Sequence, residues 1–422
     1  MLVLIRKAKV IDSRSEFNGK TVDLLLEHGH IKAIAPQINS EAEQVIDLPN
    51  LMVSCGWVDA FADYCEPGYE HKETIDSGLN AAAAGGFAHV LLAPNTFPAL
   101  STKSAVQYVA HKAHGHAAML HPLGAITQNI EGKDLAEMID MHTYGAIAFS
   151  DGWKPVQNAA LMLKALEYVK SFNGTIIQIP VHATLSAGGL MHEGAISTTL
   201  GMAGIPVLAE SLMVYRDIEL LRYTGSKLHI SGISTAESVA LVRNAKKDGL
   251  AISCSVSAYH LALTDEALRS YDSVYKVSPP LRSESDRLAL IAGLQDGTID
   301  CIATHHRPQE WDAKAKEFEY ASEGMNLQEN AFSVLWNTLS EHIEVAQLVK
   351  ILSENPRHLF GLQSGSIAVN SHTPITLFST ADSSVLQAKQ MQSLARNNPF
   401  IGKTLKGKVY GIISSGNIYL NS

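Results

Sequence analysis

Between residues 51 and 362, short apolar runs alternate with helix-length segments, and this alternation leaves the chain few possible folds. The runs include 88–93, 145–150, 175–179, 227–230, 251–255 and 300–303, with helical segments such as 235–248 and 283–294 between them. Continuous apolar runs suit strands covered on both faces. Repeated βα units in this number predict an α/β fold, a (β/α)8 barrel of the TIM type in preference to a doubly wound sheet. The two ends read differently. Residues 2–10, 22–27 and 31–34 are β-type runs set apart by Asn18-Gly19 and His28-Gly29. Residues 374–378 and 408–413 return to that pattern, with a hairpin-type turn at Ser415-Gly416-Asn417. The expectation is a barrel over 51–362 and a small composite β-sandwich domain built from 1–50 and 363–422.

Composition narrows the function classes. The 33 Lys and Arg against 42 Asp and Glu give a net charge of −9, which argues against nucleic acid or a basic membrane patch as the main business. No run is long and apolar enough to span a bilayer. The N-terminal stretch carries Arg6, Lys7 and Lys9 and lacks a signal-peptide pattern, so it reads as a strand. Cys55, Cys65, Cys254 and Cys301 form no C-x-x-C pair, so neither a disulfide framework nor a structural zinc site is expected, and a cytoplasmic location is. Eighteen histidines raise a metal hypothesis that has to be tested position by position.

In a barrel of this kind the chemistry sits at the C-terminal strand ends. The first reads Asp59-Ala60-Phe61-Ala62-Asp63-Tyr64-Cys65-Glu66-Pro67-Gly68, followed by Lys72-Glu73, a Gly85-Gly86 turn and Pro94-Asn95-Thr96. This framework resembles the dihydroorotase family of the amidohydrolase superfamily, whose pattern is D-x-H-x-H-x-R-E-P-G, then K-E, G-G and P-N-T. The resemblance runs through Phe149-Ser150-Asp151-Gly152, Val277-Ser278-Pro279-Pro280-Leu281-Arg282 and Ala303-Thr304-His305-His306-Arg307-Pro308 to the tail elements Asn398-Pro399-Phe400 and Leu405-Lys406-Gly407. It covers essentially the whole chain.

The framework is kept and the metal residues are not. Where the resemblance implies four histidine ligands, the chain has Phe61, Asp63, Gln178 and Gly232. The implied substrate arginine is Cys65, the second acid after Asp151 is Gly152, the substrate asparagine is Ser278 and the catalytic aspartate of D-H-A-P is His305. Phenylalanine and glycine offer no donor, and a glutamine amide is a poor substitute for imidazole on zinc. A thiol cannot grip a carboxylate as an arginine fork does. His182 and His192 fit no ligand spacing and read as hydrogen-bonded or surface histidines; His229 matches the first histidine of the family's H-I-x-H, and the resemblance implies a packing and loop-fixing role for His260.

Closing or opening an unactivated cyclic amide near neutral pH requires an activated water, which zinc supplies in this family. The first expectation is therefore a dihydroorotase-like pseudoenzyme with no cofactor. The resemblance implies a structural or regulatory role beside aspartate transcarbamoylase, and a homo-oligomer is expected. The alternative is an active cyclic-amide hydrolase converting carbamoyl aspartate to dihydroorotate, with a rebuilt zinc site from Asp63, Asp151 and His305 plus His182 or His306. A third reading is a sensor holding a dihydroorotate-like ligand through Asn95 and the loop Ser322-Glu323-Gly324, against which the changes at Cys65 and Ser278 count; Asn95 and Ser278 are the substrate-binding candidates. Phe61 and Trp153 are expected to make the barrel mouth drier and more apolar than an active site of this family.

Overall fold

The computed structural model describes residues 1–414 and 416–421, so Ser415 of the expected hairpin turn lies outside the described residues. Eight parallel strands follow one another around a nearly closed barrel: β1 (Trp57–Ala62), β2 (Phe87–Leu92), β3 (Met119–Gly124), β4 (Ala148–Phe149), β5 (Ile176–Gln178), β6 (Leu228–Ser231), β7 (Ile252–Ser257) and β8 (Cys301–Ala303). Every residue of β1, β2 and β7 is buried, as strands with helices outside and side chains inside require. The seam between β8 and β1 is closed by a parallel bridge from Ala62 to His306, in which the Asp63 N–H donates to the His306 carbonyl at 2.8 Å. Asp59 ties the same seam by accepting from the Thr304 N–H at 2.8 Å and from Gln328 Nε2 at 2.7 Å.

Capping chemistry sets the helix starts. Helices Ala236–Lys247 and Glu284–Gln295 begin directly after Thr235 and Ser283, whose hydroxyls accept from the N–H groups of Ser238 and Asp286. Helix Leu208–Thr224 ends at Gly225, whose φ of 59° is the left-handed turn that glycine takes without a Cβ clash.

Both termini build a second sheet of eight strands. It joins Leu2–Val10, Thr21–Glu27, His30–Ala35, Gln44–Ile46 and Met52–Cys55 to Ile375–Val385, Thr404–Ser414 and Asn417–Leu420. Met52–Cys55 pairs with Lys9 and Val10 on one side and with Ile375–Phe378 in register on the other, so the sheet reaches past residue 50. Trp57 links this sheet to the barrel: its ring lies 4.9 Å from Phe332 and 5.2 Å from Phe378, and its indole N–H donates to Ser54 Oγ at 3.0 Å. A separate apolar cluster that includes Val58, Leu91, Leu123, Ile177, Cys301 and Phe360 fills the barrel interior. Among the described residues no helix is long and apolar enough to cross a membrane.

Candidate functional site: a filled barrel mouth

The C-terminal ends of the strands converge on three rings. Phe61, fully buried on β1, lies 5.3 Å from Trp153 at an interplanar angle of 87° and 5.3 Å from His305, while Trp153 and His305 are 5.4 Å apart at 88°. Edge-to-face contacts of this kind are attractive beyond the area they bury. Trp153, in the loop after β4, is held by Asn95 of the loop after β2, whose Oδ1 accepts its N–H at 3.1 Å and whose Nδ2 donates to the Asp151 carbonyl at 3.1 Å. On the outer face the Arg307 guanidinium stacks 4.5 Å above the Trp153 ring and donates to Glu323 at 3.2 Å.

The side chains of Asp63, Gln178 and Asp151 at the mouth are hydrogen-bonded locally. Asp63 accepts the indole N–H of Trp153 at 3.0 Å and the Cys65 N–H at 2.9 Å, and burial raises its carboxyl above the usual carboxylate range. Gln178 clamps Val156, donating to its carbonyl at 3.1 Å and accepting its N–H at 3.4 Å. Asp151 accepts the N–H groups of Ile126 and Thr127 at 2.9 Å and the Thr127 hydroxyl, and burial lifts it to about 6. It therefore anchors the loop after β3. Gly152 has φ of 57°, and a Cβ there would lie 1.7 Å from Asn95 Oδ1, so an acid beside Asp151 would be strained and would displace the Asn95 amide that holds Trp153.

His305 and Gly232 are complementary. Gly232 has φ of 77°, and a Cβ on it would stand 2.2 Å from His305 Cε1: the imidazole occupies the room a side chain at 232 would take. His305 Nε2 shares a hydrogen bond with Ser231 Oγ at 3.0 Å, and the polar line continues through Ser255, His229 and Ser253 at 3.3, 3.1 and 2.8 Å. Burial holds both His305 and His229 at about 3, so both are neutral imidazoles near pH 7. Among the described residues, Nδ1 of His305 has no partner.

The structure does not bring the proposed replacement ligands together. Asp63 faces Trp153 and Cys65, Asp151 faces the loop after β3, and His305 faces Ser231. His182 caps the short helix Ala183–Ser186, and the fully buried His306 sits 3.4 Å from Glu73. Among the described residues no group of three or more His, Cys, Asp or Glu is placed to hold a metal ion. Zinc needs three or four donors about 2.0 to 2.3 Å from one point, and the side chains here do not fit it. Of the sensor and substrate-binding candidates, Asn95 has both amide ends bonded to the loop after β4, Ser278 is half-buried, and Glu323 pairs with Arg307. The sequence reading missed Arg307 as the cover of the mouth, although an arginine replacing the alanine of D-H-A-P was the available signal.

A parallel barrel with a second β domain drawn from both termini is the amidohydrolase type of architecture. An L-hydantoinase (dihydropyrimidinase) from Arthrobacter aurescens superposes with a TM-score of 0.87, covering 99% of this chain and 96% of its own at 21% identity. The dihydropyrimidinase from Brevibacillus agri NCHU1002 gives 0.85 over 100% and 95% at 21% identity. In sequence, the dihydroorotase of Syntrophus aciditrophicus (strain SB) is 40% identical over 422 residues, 99% of each chain. That of Acetivibrio thermocellus is 38% identical over 419 residues, 99% of this chain and 98% of its own. The Dihydro-orotase-like family model matches residues 50–238. The chain belongs to the dihydroorotase family.

Proposed function

We propose that this member of the dihydroorotase family is a non-catalytic barrel in pyrimidine biosynthesis that serves as a structural or regulatory partner of aspartate transcarbamoylase. The observation that carries the reading is the Phe61–Trp153–His305 cluster, which fills the strand ends from which a hydrolytic water would act. Without an activated water, His305 has no nucleophile from which to take a proton. Metal analysis of protein purified with zinc present is expected to find far less than one ion per chain, and carbamoyl aspartate cyclisation is expected to stay at background. Size-exclusion chromatography with the cognate transcarbamoylase is expected to give a shared peak, and of the chain alone a homo-oligomer. Separate elution of the two proteins would remove the partnership.

A second reading is favoured by the full-length identity to relatives named dihydroorotase: an active enzyme with a rebuilt zinc site. Stoichiometric zinc together with measurable cyclisation would establish it in place of the first.

A further inference from the structure

After β8 the chain forms the short helix Trp311–Lys314, whose first side chain is left in water. Trp311 is 79% exposed, whereas Trp57 is fully buried and Trp153 and Trp336 are half-buried. It borders a groove of about 360 Å3 lined by residues from the segments 272–274, 309–315 and 394–397. Leu394, 51% exposed, adds a second bare apolar side chain to the same groove. A single exposed apolar residue is ordinary, but an open indole and a leucine beside a groove have the composition of an interface anchor next to its pocket.

Four charged residues line the groove, Asp272, Glu310, Lys314 and Arg396, two of each sign. Two of them are engaged within the chain. Glu310 pairs with His71 at 3.1 Å, and the buried Lys314 turns its amine to the Ser322 carbonyl at 2.9 Å. The other two are exposed and unpaired. Arg396 donates through Nη1 to the Ser393 and Ala395 carbonyls, and among the described residues its Nε and Nη2 meet no acceptor and no carboxylate lies within 4.0 Å. Asp272 accepts the Val274 N–H at 2.9 Å, and among the described residues no cation lies within 4.0 Å of it.

We propose that this face pairs with a second copy of the chain about a two-fold axis, each Trp311 seated in the groove of the other copy and each Arg396 set opposite the partner's Asp272. A two-fold contact requires one patch to carry both halves of every interaction. This patch does so: anchor and pocket lie side by side, and so do an unpaired cation and an unpaired anion. A small ligand filling the groove would leave Trp311 in water and both charges unanswered. The inference rests on the self-association expected for this chain and names the surface that carries it.

The test is sedimentation equilibrium of the full chain from low to high micromolar concentration. Wild type is expected to self-associate, and Trp311→Ala, at an exposed position, should weaken the association by about tenfold or more. Leu394→Ser should weaken it as well, and it decides the matter if Trp311→Ala does not fold. Arg396→Glu and Asp272→Arg should each weaken it by about threefold or more, and the two together should recover most of that loss, because the reversed charges again meet across the axis. A wild type that stays monomeric throughout would remove the self-association and this surface together. An oligomer left intact by the Trp311 and Leu394 variants, or single reversals without recovery in the pair, would keep the self-association and overturn this surface. Variants that keep the homo-oligomer but lose the transcarbamoylase would give the face to that partner and overturn the proposal likewise.

Discussion

At positions 232 and 305 two departures from the family pattern occupy one volume. A histidine at 305 needs the space above residue 232, and glycine at 232 supplies it while accepting a φ of 77° that other residues adopt at a cost. Gly232→Ala is therefore expected to destabilise the protein by at least about 2 kcal/mol in urea titration, through overpacking and backbone strain together. In a His305→Ala background the overpacking is relieved, and the cost should shrink by about 1 kcal/mol or more, leaving mainly strain. Equal costs in the two backgrounds would show that the residues do not share the space. His305 also titrates. Its native value near 3 lies below the unfolded value of about 6.5, so acid protonates the unfolded chain first, and the stability it contributes above pH 6.5 is lost as pH falls from 6.5 toward 3. Between pH 7 and pH 5 this loss amounts to about 2 kcal/mol, and His305→Gln lacks it. The stability gap between wild type and His305→Gln should narrow by that amount on going from pH 7 to pH 5; a gap independent of pH would mean that folding leaves the His305 pKa unshifted.

At the scale of elements, a buried carboxylate fixes the loop that follows β6. Glu210, in the first turn of helix Leu208–Thr224, accepts the N–H groups of Ser234 and Thr235 at 2.8 and 3.0 Å and both their hydroxyls, and Arg282 Nη2 lies 3.6 Å away. Glu210→Ala would strand the guanidinium of Arg282, itself buried, and leave two N–H groups unpaired. A loss of about 3–5 kcal/mol is expected, with Glu210→Gln losing less, both read by chemical denaturation. Helix starts such as Thr235 and Ser283 were legible in the sequence because capping is local, a hydroxyl reaching an amide three residues on. Met52–Cys55 was not, because an apolar run does not say which of two sheets will pair with it. The terminal strands Ile375–Val385 and Thr404–Ser414 extend past the expected 374–378 and 408–413, since pairs such as Ser384 with Leu405 bring polar ends into the ladder. At the mouth the substitutions themselves could be read from the motifs. The contacts of Trp153 with Asp63 and Arg307 join residues far apart in the chain, and no local pattern announces them.

For the whole molecule, the question is whether barrel and terminal sheet behave as separate bodies. Their boundary is bonded and packed on several sides: Thr376 Oγ1 donates to the Gly86 carbonyl at 2.7 Å, Arg357 donates to the Gly56 carbonyl at 2.7 Å, and Trp57 is wedged between Phe332 and Phe378. Farther along, the tail crosses back to the barrel mouth. Glu73 accepts the Leu394 N–H at 3.1 Å and the Ser393 hydroxyl, and Asn397 accepts the Gln309 N–H at 3.1 Å while donating to the Arg307 carbonyl at 3.0 Å. The C-terminal segment thus braces the backbone of the residue that covers the plug. Opening either body would expose Trp57 and leave these buried donors and acceptors unpaired, so neither has a low-cost way to unfold alone. Large chains often unfold in steps, but here one coincident urea transition is expected by far-UV circular dichroism and by tryptophan emission. Trp57 reports the boundary and Trp153 the mouth, so restoring the tryptophans one at a time in a Trp-to-Phe background resolves the two regions. A Trp153 signal lost at lower urea than that of Trp57 would show that the mouth opens on its own, and the plug would then be a lid over the barrel instead of part of its core.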